Sequence, residues 1–179
     1  MHRITLITTG GTIEKTYDEQ TGALHNRRSI VGRMLRRLRL EDTQIFTHEL
    51  MSKDSMLMTD DDRLRILEAV RAAGGVGTPD EPRPAAGPSQ GIVILHGTDT
   101  LADTGELLAQ RIAHPRVPIV LTGAMRPFEM TRSDALQNLT EAFFATGLLG
   151  PGVYVAAHGR TLAFPGVRKD RERGTFVKG

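Results

Sequence analysis

Residues 92–100 read Ile92-Val93-Ile94-Leu95-His96-Gly97-Thr98-Asp99-Thr100. Four consecutive apolar residues that run into a glycine have the length and character of a strand buried on both faces of a parallel sheet. A helix-patterned segment, residues 103–113, follows at once. The same order recurs on either side of this stretch. Residues 4–7 run into Gly10-Gly11, residues 118–121 run into Gly123, and further helical patterns cover 29–40, 60–73 and 133–146. Several of these open with a Ser or Asp suited to an N-cap. Strands around 44–48 and 153–157 bring the count to five. Strand and helix in alternation predict an α/β fold: a three-layer, doubly wound, mostly parallel sheet with helices on both faces.

The remaining composition narrows the class. The chain has 179 residues, 39% hydrophobic and 25% charged, which fits one globular domain over 1–179. Residues 74–91 hold five glycines and four prolines and predict an irregular, mobile surface loop inside that domain. There is no cysteine, so disulfide scaffolds, thiolate nucleophiles, thiolate zinc sites and iron–sulfur clusters are excluded. The histidines show no metal-ligand spacing, and neither a P-loop nor a G-x-G-x-x-G string in the right context occurs, so no metal and no cofactor is expected. No apolar window reaches membrane-spanning length, and the first apolar run is too short for a signal peptide, so a cytoplasmic protein without a membrane partner is expected.

Charge points away from nucleic acid. The formal net charge is only +2, too small for a basic field over the whole domain. Residues 27–39 contain six arginines and no acid, but Ile30, Val31, Met34, Leu35 and Leu38 fall at helical spacing. The segment reads as an amphipathic helix with a solvated basic face. No aromatic residue interleaves with these arginines to stack on bases. Met51, Met56 and Met58 are expected near the site or in the core.

In open parallel sheets the ligand lies beyond the carboxyl ends of the strands. Two glycine turns stand there. The first, Thr9-Gly10-Gly11-Thr12-Ile13, lets the backbone come close to a ligand and leaves Thr12 at the mouth of the sheet. The second is His96-Gly97-Thr98-Asp99-Thr100, which supplies a hydroxyl and a carboxylate in succession. Two threonine-bearing strand ends suggest acyl transfer by hydroxyl nucleophiles. A threonine needs a base. His96 at a strand end reads as a packed structural residue, Lys169 as a candidate base that spacing alone does not place, and Thr100 as a helix cap. The other charges of the tail at 168–178 read as solvating.

Four motifs in order resemble the bacterial-type L-asparaginases: Thr9-Gly10-Gly11-Thr12-Ile13, Asp54-Ser55 followed by Met58, His96-Gly97-Thr98-Asp99-Thr100, and Thr122-Gly123-Ala124-Met125-Arg126-Pro127. The resemblance covers most of the chain and is to the N-terminal domain of longer members, so the chain resembles a short single-domain form. It implies L-asparagine as the small-molecule substrate, hydrolysed to L-aspartate and ammonia through an ester on threonine. Thr12 is then the nucleophile, and Thr98, Asp99 and Lys169 form a second constellation. Tyr17 corresponds to a lid tyrosine, although it follows Thr12 more closely than in many members. Gly11, Ser55, Met56, Gly97, Thr98, Asp99 and Ala124 line the substrate site, with Met56 where many periplasmic-type members carry glutamine. The resemblance and the small size imply a homo-oligomer. The alternatives are the same chemistry on glutamine or another small amide such as the D-isomer, and a non-catalytic amino-acid-binding or regulatory protein that keeps the fold. A nucleic-acid binder is a third class, marked by steep salt dependence.

Overall fold

The computed structural model describes residues 1–78 and 89–179, so most of the loop read at 74–91 lies outside the described residues. The elements in chain order are β1 (His2–Gly10), β2 (Thr16–Asp18), β3 (Ala23–His25), α1 (Val31–Leu35), β4 (Thr43–Lys53), α2 (Asp60–Ala72), β5 (Gly91–Leu95), α3 (Leu101–Arg111), β6 (Pro118–Thr122), α4 (Ala135–Leu148), β7 (Gly152–Ala157), β8 (Arg160–Ala163), β9 (Val167–Asp170) and β10 (Thr175–Lys178). Single 3-10 turns occupy Thr12–Glu14 and Ser55–Leu57.

Six strands form one sheet in the order β4-β1-β5-β6-β7-β8. The first five are parallel and β8 returns antiparallel to β7. The fold class is therefore the doubly wound, mostly parallel α/β sheet expected. From β1 the chain moves outward to β4 and then crosses back to β5 on the other side, so the winding reverses between β1 and β5. Their carboxyl ends, Gly10 and Leu95, flank the crevice where such sheets bind ligands.

Side chains alternate across each strand, which splits the core in two. Ile92 and Ile94 of β5 and Ile119 and Leu121 of β6 pack with Ile66 and Val70 of α2 and Leu108 of α3. Val93, Leu95 and Val120 face the opposite way, onto Val31 and Met34 of α1 and Leu139, Ala142 and Phe143 of α4. Helix α2 starts at a capping box in which the Thr59 hydroxyl accepts from the Asp62 amide and Asp62 accepts from Thr59 N. Such a box satisfies two otherwise unpaired amides at the helix start.

Several sequence expectations are corrected. The helix read at 29–40 is only Val31–Leu35. Gly32 weakens it, and the like charges of Arg33, Arg36 and Arg37 lie three and four residues apart, where they repel on a helix. The chain is more than one sheet, because β2 pairs with β3 and β9 with β10 in separate antiparallel hairpins. The β9–β10 hairpin, where the tail was read as solvating, is anchored by buried Val167 and Phe176 in the α2–α3 side of the core. The near end of the 74–91 loop is hydrogen-bonded to the segment before β6. Gly77 N donates to His114 O at 3.0 Å and Arg116 N to Gly75 O at 2.9 Å.

Candidate active site

The turn after β1 is built for close approach. Gly10 and Gly11 have φ of 96° and 79°, in the left-handed region that favours glycine. A Cβ on Gly11 would overlap the backbone of Gly97, and a Cβ on Gly97 would overlap Ser55 Oγ. The first two turns therefore meet backbone to backbone and the Ser55 side chain packs on Gly97, bringing Thr12, Ser55 and Thr98 to one crevice. Gly11 N donates to Lys53 O at 2.8 Å and Gly11 O accepts from Asn26 Nδ2 at 2.8 Å. Thr9 Oγ1 donates to Leu95 O at 2.8 Å, which fixes the two strand ends to one another.

Glu14, fully buried behind this turn, was not singled out from sequence. Its carboxylate accepts from Gly10 N at 3.2 Å, from Ile30 N at 3.1 Å and from the Ser29 hydroxyl. Burial pushes its pKa up, and the hydrogen bonds from Ser29, Ile30 and Gly10 oppose that. It staples the Thr12 turn to the start of α1. Ser29 is consequently engaged twice, since its oxygen also accepts from Val31 N at 3.3 Å.

The second turn follows β5. His96 is wholly buried, with Nδ1 2.8 Å from Gly97 O and Nε2 2.8 Å from Thr104 Oγ1. A carbonyl only accepts, so Nδ1 carries the hydrogen and Nε2 accepts from the threonine hydroxyl. Desolvation lowers its pKa to about 4. The structural reading of His96 holds, because a neutral ring with both nitrogens engaged is no base for either threonine.

A pH test follows from this histidine. The unfolded imidazole takes up a proton near its ordinary value of 6.5 and the buried one resists until about 4. Its contribution is fully present above pH 6.5 and is lost as pH falls from there toward 4. Denaturation at pH 7.5 and pH 5 is expected to show wild type losing about 2 kcal/mol from this group. His96→Gln should show a shallower loss. An equally steep loss in the variant would mean that His96 is not the titrating group.

Thr98, 4% exposed, has its Oγ1 2.8 Å from Lys169 Nζ. The same ammonium lies 2.9 Å from Asp99 Oδ1, and Arg171 Nη1 reaches that oxygen at 3.1 Å. Lys169 arrives from β9, two residues after buried Val167 and on the same face of the strand. The sequence reading missed Arg171, which it treated as solvating. Both cations sit on Oδ1, and Asp99 Oδ2 has no hydrogen-bond partner among the described residues. The hydroxyls of Thr12 and Ser55 likewise make no hydrogen bond among the described residues.

Thr100 does precede α3, but its hydroxyl does not cap the helix; it donates to Ser55 O at 2.9 Å and ties the second turn to the Ser55 segment. Asp54 opens that segment. It accepts from Met56 N at 3.0 Å and from Lys15 Nζ at 2.6 Å, and the lysine holds its carboxyl below the usual range. Met58 is buried and Met51 packs on the core, but Met56 is 70% exposed rather than in the core. Ala124 is fully buried in the turn after β6. That turn is held by Asp134, which accepts from Met125 N and Arg126 N at 3.0 Å, from Asn138 Nδ2 at 2.9 Å and from His158 Nε2 at 2.8 Å. Tyr17 stands on the β2–β3 hairpin, 59% exposed, with its amide donating to Glu129 at 3.2 Å. Among the described residues there is no group of acids and histidines able to hold a metal, and no helix long and apolar enough to cross a membrane.

Fold and site together define a doubly wound domain in which the Thr12 hydroxyl, without a hydrogen-bond partner among the described residues, and the Lys169-bound Thr98 hydroxyl stand on glycine turns at the winding switch. The chain belongs to the asparaginase family: the model for the asparaginase N-terminal domain matches residues 3–175. It is similar to the L-asparaginase of Thermococcus kodakarensis, 40% identical over 120 residues, covering 66% of this chain and 33% of the relative. It is also 32% identical over 177 residues to a glutamyl-tRNA(Gln) amidotransferase subunit of Methanococcus maripaludis, covering 90% of this chain and 36% of that protein. The solved structure of the thermostable L-asparaginase from Thermococcus kodakarensis superposes with a TM-score of 0.82 at 31% identity, covering 98% of this chain and 51% of that one. The chain thus spans about a third of the length of these curated relatives and about half of that solved structure.

Proposed function

We propose that this protein hydrolyses the side-chain amide of L-asparagine to L-aspartate and ammonia. The observation that carries the reading is the Thr98–Lys169–Asp99 cluster, closed by contacts of 2.8 and 2.9 Å, beside the glycine turn that bears Thr12. In this reading the Thr12 hydroxyl attacks the amide carbon, forming an ester as the C–N bond breaks and ammonia leaves with the hydroxyl proton. Water, positioned and activated through the Thr98 hydroxyl and the Lys169 side chain beside it, then cleaves the ester and regenerates the hydroxyl. Asp99 Oδ2 receives the substrate ammonium, and Ser55 Oγ donates to its α-carboxylate. Backbone amides of the two glycine turns receive the developing oxyanion, a contribution of ~3–4 kcal/mol per donor.

The similarity to an amidotransferase component supports a second reading, in which another amide such as that of glutamine is the substrate. Ammonia release from L-asparagine, L-glutamine and D-asparagine, measured in parallel, separates the two. Turnover of L-asparagine in clear excess is the expected result. Preferred release from glutamine would move the assignment to the second reading. No release from any amide, with aspartate still bound in calorimetry, would mean a binding or regulatory protein.

The Lys15–Asp54 pair joins the base of the hairpin carrying Tyr17 to the segment carrying Ser55. Both side chains are partly exposed, so its worth is at most about 1 kcal/mol. Lys15→Met is expected to raise KM for asparagine by roughly two- to fivefold with a smaller change in kcat. Steady-state kinetics test this, and an unchanged KM would show that the pair does not hold the hairpin over the site.

A further inference from the structure

We propose that the cavity behind the β2–β3 hairpin is a binding site for a small ligand carrying several negative charges, of phosphate or carboxylate chemistry. The cavity holds about 920 Å³, and Arg27, Arg28, Arg33 and Arg36 line it together with Glu49 and Glu129. A volume of this order suits a small molecule rather than a single ion. Its charge is unbalanced. Arg27 is paired with Asp18, and Arg33 with Glu129 at 2.6 Å, while Arg28 and Arg36 have no ion pair among the described residues.

The arginine-rich segment would have been an outward-facing stripe had it continued as a helix. Because α1 ends at Leu35, residues before the helix, on it and just after it line one open concavity, with the four arginines still reaching solvent. Guanidinium groups gathered this way repel one another, and an anion among them relieves the repulsion. Their planar forks match the oxygens of phosphate and carboxylate groups in pairs, which favours a ligand with at least two anionic groups over a monovalent ion. The same geometry disfavours a polynucleotide. Glu49 and Glu129 interrupt the positive lining, and Phe128, the ring that Arg37 and Arg33 approach at 5.1 and 5.9 Å, is buried and so is no stacking platform for a base.

Calorimetric titration of the full chain with inorganic pyrophosphate, and separately with citrate, tests this without reference to the hydrolytic reaction. The expected result is saturable binding of at least one of the two at one site, with the stronger binder identifying phosphate or carboxylate chemistry. In Arg28→Gln/Arg36→Gln, with circular dichroism unchanged, that binding should weaken by ~10-fold or more. Should the double variant fold poorly, Arg36→Gln alone is expected to weaken it by ~3-fold or more. The proposal is overturned if wild type binds neither anion, or if folded variants bind as tightly as wild type. It is also overturned if a single-stranded RNA binds far more tightly, with a salt slope of several phosphates, which would make this a nucleic-acid surface.

Discussion

Thr12→Ala is expected to lower ammonia release from L-asparagine by ~10³-fold or more, with the far-ultraviolet spectrum and denaturation midpoint near those of wild type. The two halves of this expectation have separate physical grounds. Catalysis should collapse because, in the proposed reaction, the carbon–oxygen bond of the intermediate forms at the Thr12 hydroxyl. Stability should persist because that hydroxyl holds nothing in place. The turn is fixed by Gly11 N on Lys53 O, by Asn26 on Gly11 O and by the Glu14 carboxylate on Gly10 N, none of which involves the Thr12 side chain. Aspartate binding, read by calorimetry, should survive in the variant, since the groups proposed to grip the amino acid are Asp99 and Ser55. Turnover retained within tenfold would remove Thr12 as the nucleophile and leave Thr98 as the candidate. Loss of turnover together with loss of aspartate binding would show that the substitution had damaged the site rather than the chemistry.

The parts of the fold that were legible are those in which one signal is local and strong. Strands β1, β5 and β6 are apolar runs ending at glycine because they are buried on both faces, and that pattern needs no knowledge of partners. The Gly10-Gly11 and Gly97 turns follow from it, and with them the location of the crevice. What stayed hidden depends on contacts across long sequence separations. Strands β9 and β10, Val167–Asp170 and Thr175–Lys178, expose polar residues and bury little beyond Val167 and Phe176, so nothing in their composition separates them from a solvated tail. Arg171 therefore gave no hint that it reaches Asp99, 72 residues away. Lys169 was singled out through family resemblance, and spacing alone left it unplaced. Thr100 fits the pattern of a helix cap, but its hydroxyl goes to Ser55 O, a partner 45 residues distant. The arginine-rich helix was overextended for a related reason: apolar spacing can reveal a buried face but not where like charges and Gly32 end the helix.

The second large effect belongs to Lys169. Lys169→Met is expected to lower kcat by ~10²–10⁴-fold, the range of one lost proton-transfer group. The side chain is only partly buried, and Asp99 keeps Arg171 at 3.1 Å after the substitution, so no carboxylate is left without a cation. Stability should therefore change little, which lets the kinetic effect be read as chemistry. Two further variants decide between a proton route and a charge that merely holds Asp99 in place. If Lys169 acts through the Thr98 hydroxyl at 2.8 Å, then Thr98→Val and Lys169→Met remove the same route, and the double variant should be little slower than the worse single one. If Lys169 only positions Asp99, its loss should appear in KM, and Arg171→Gln should produce a change of similar kind. Additive losses in the double variant, or a Lys169→Met enzyme with unchanged kcat, would overturn the proton route and leave Thr98 without a base among the described residues, since His96 has both ring nitrogens committed within the core.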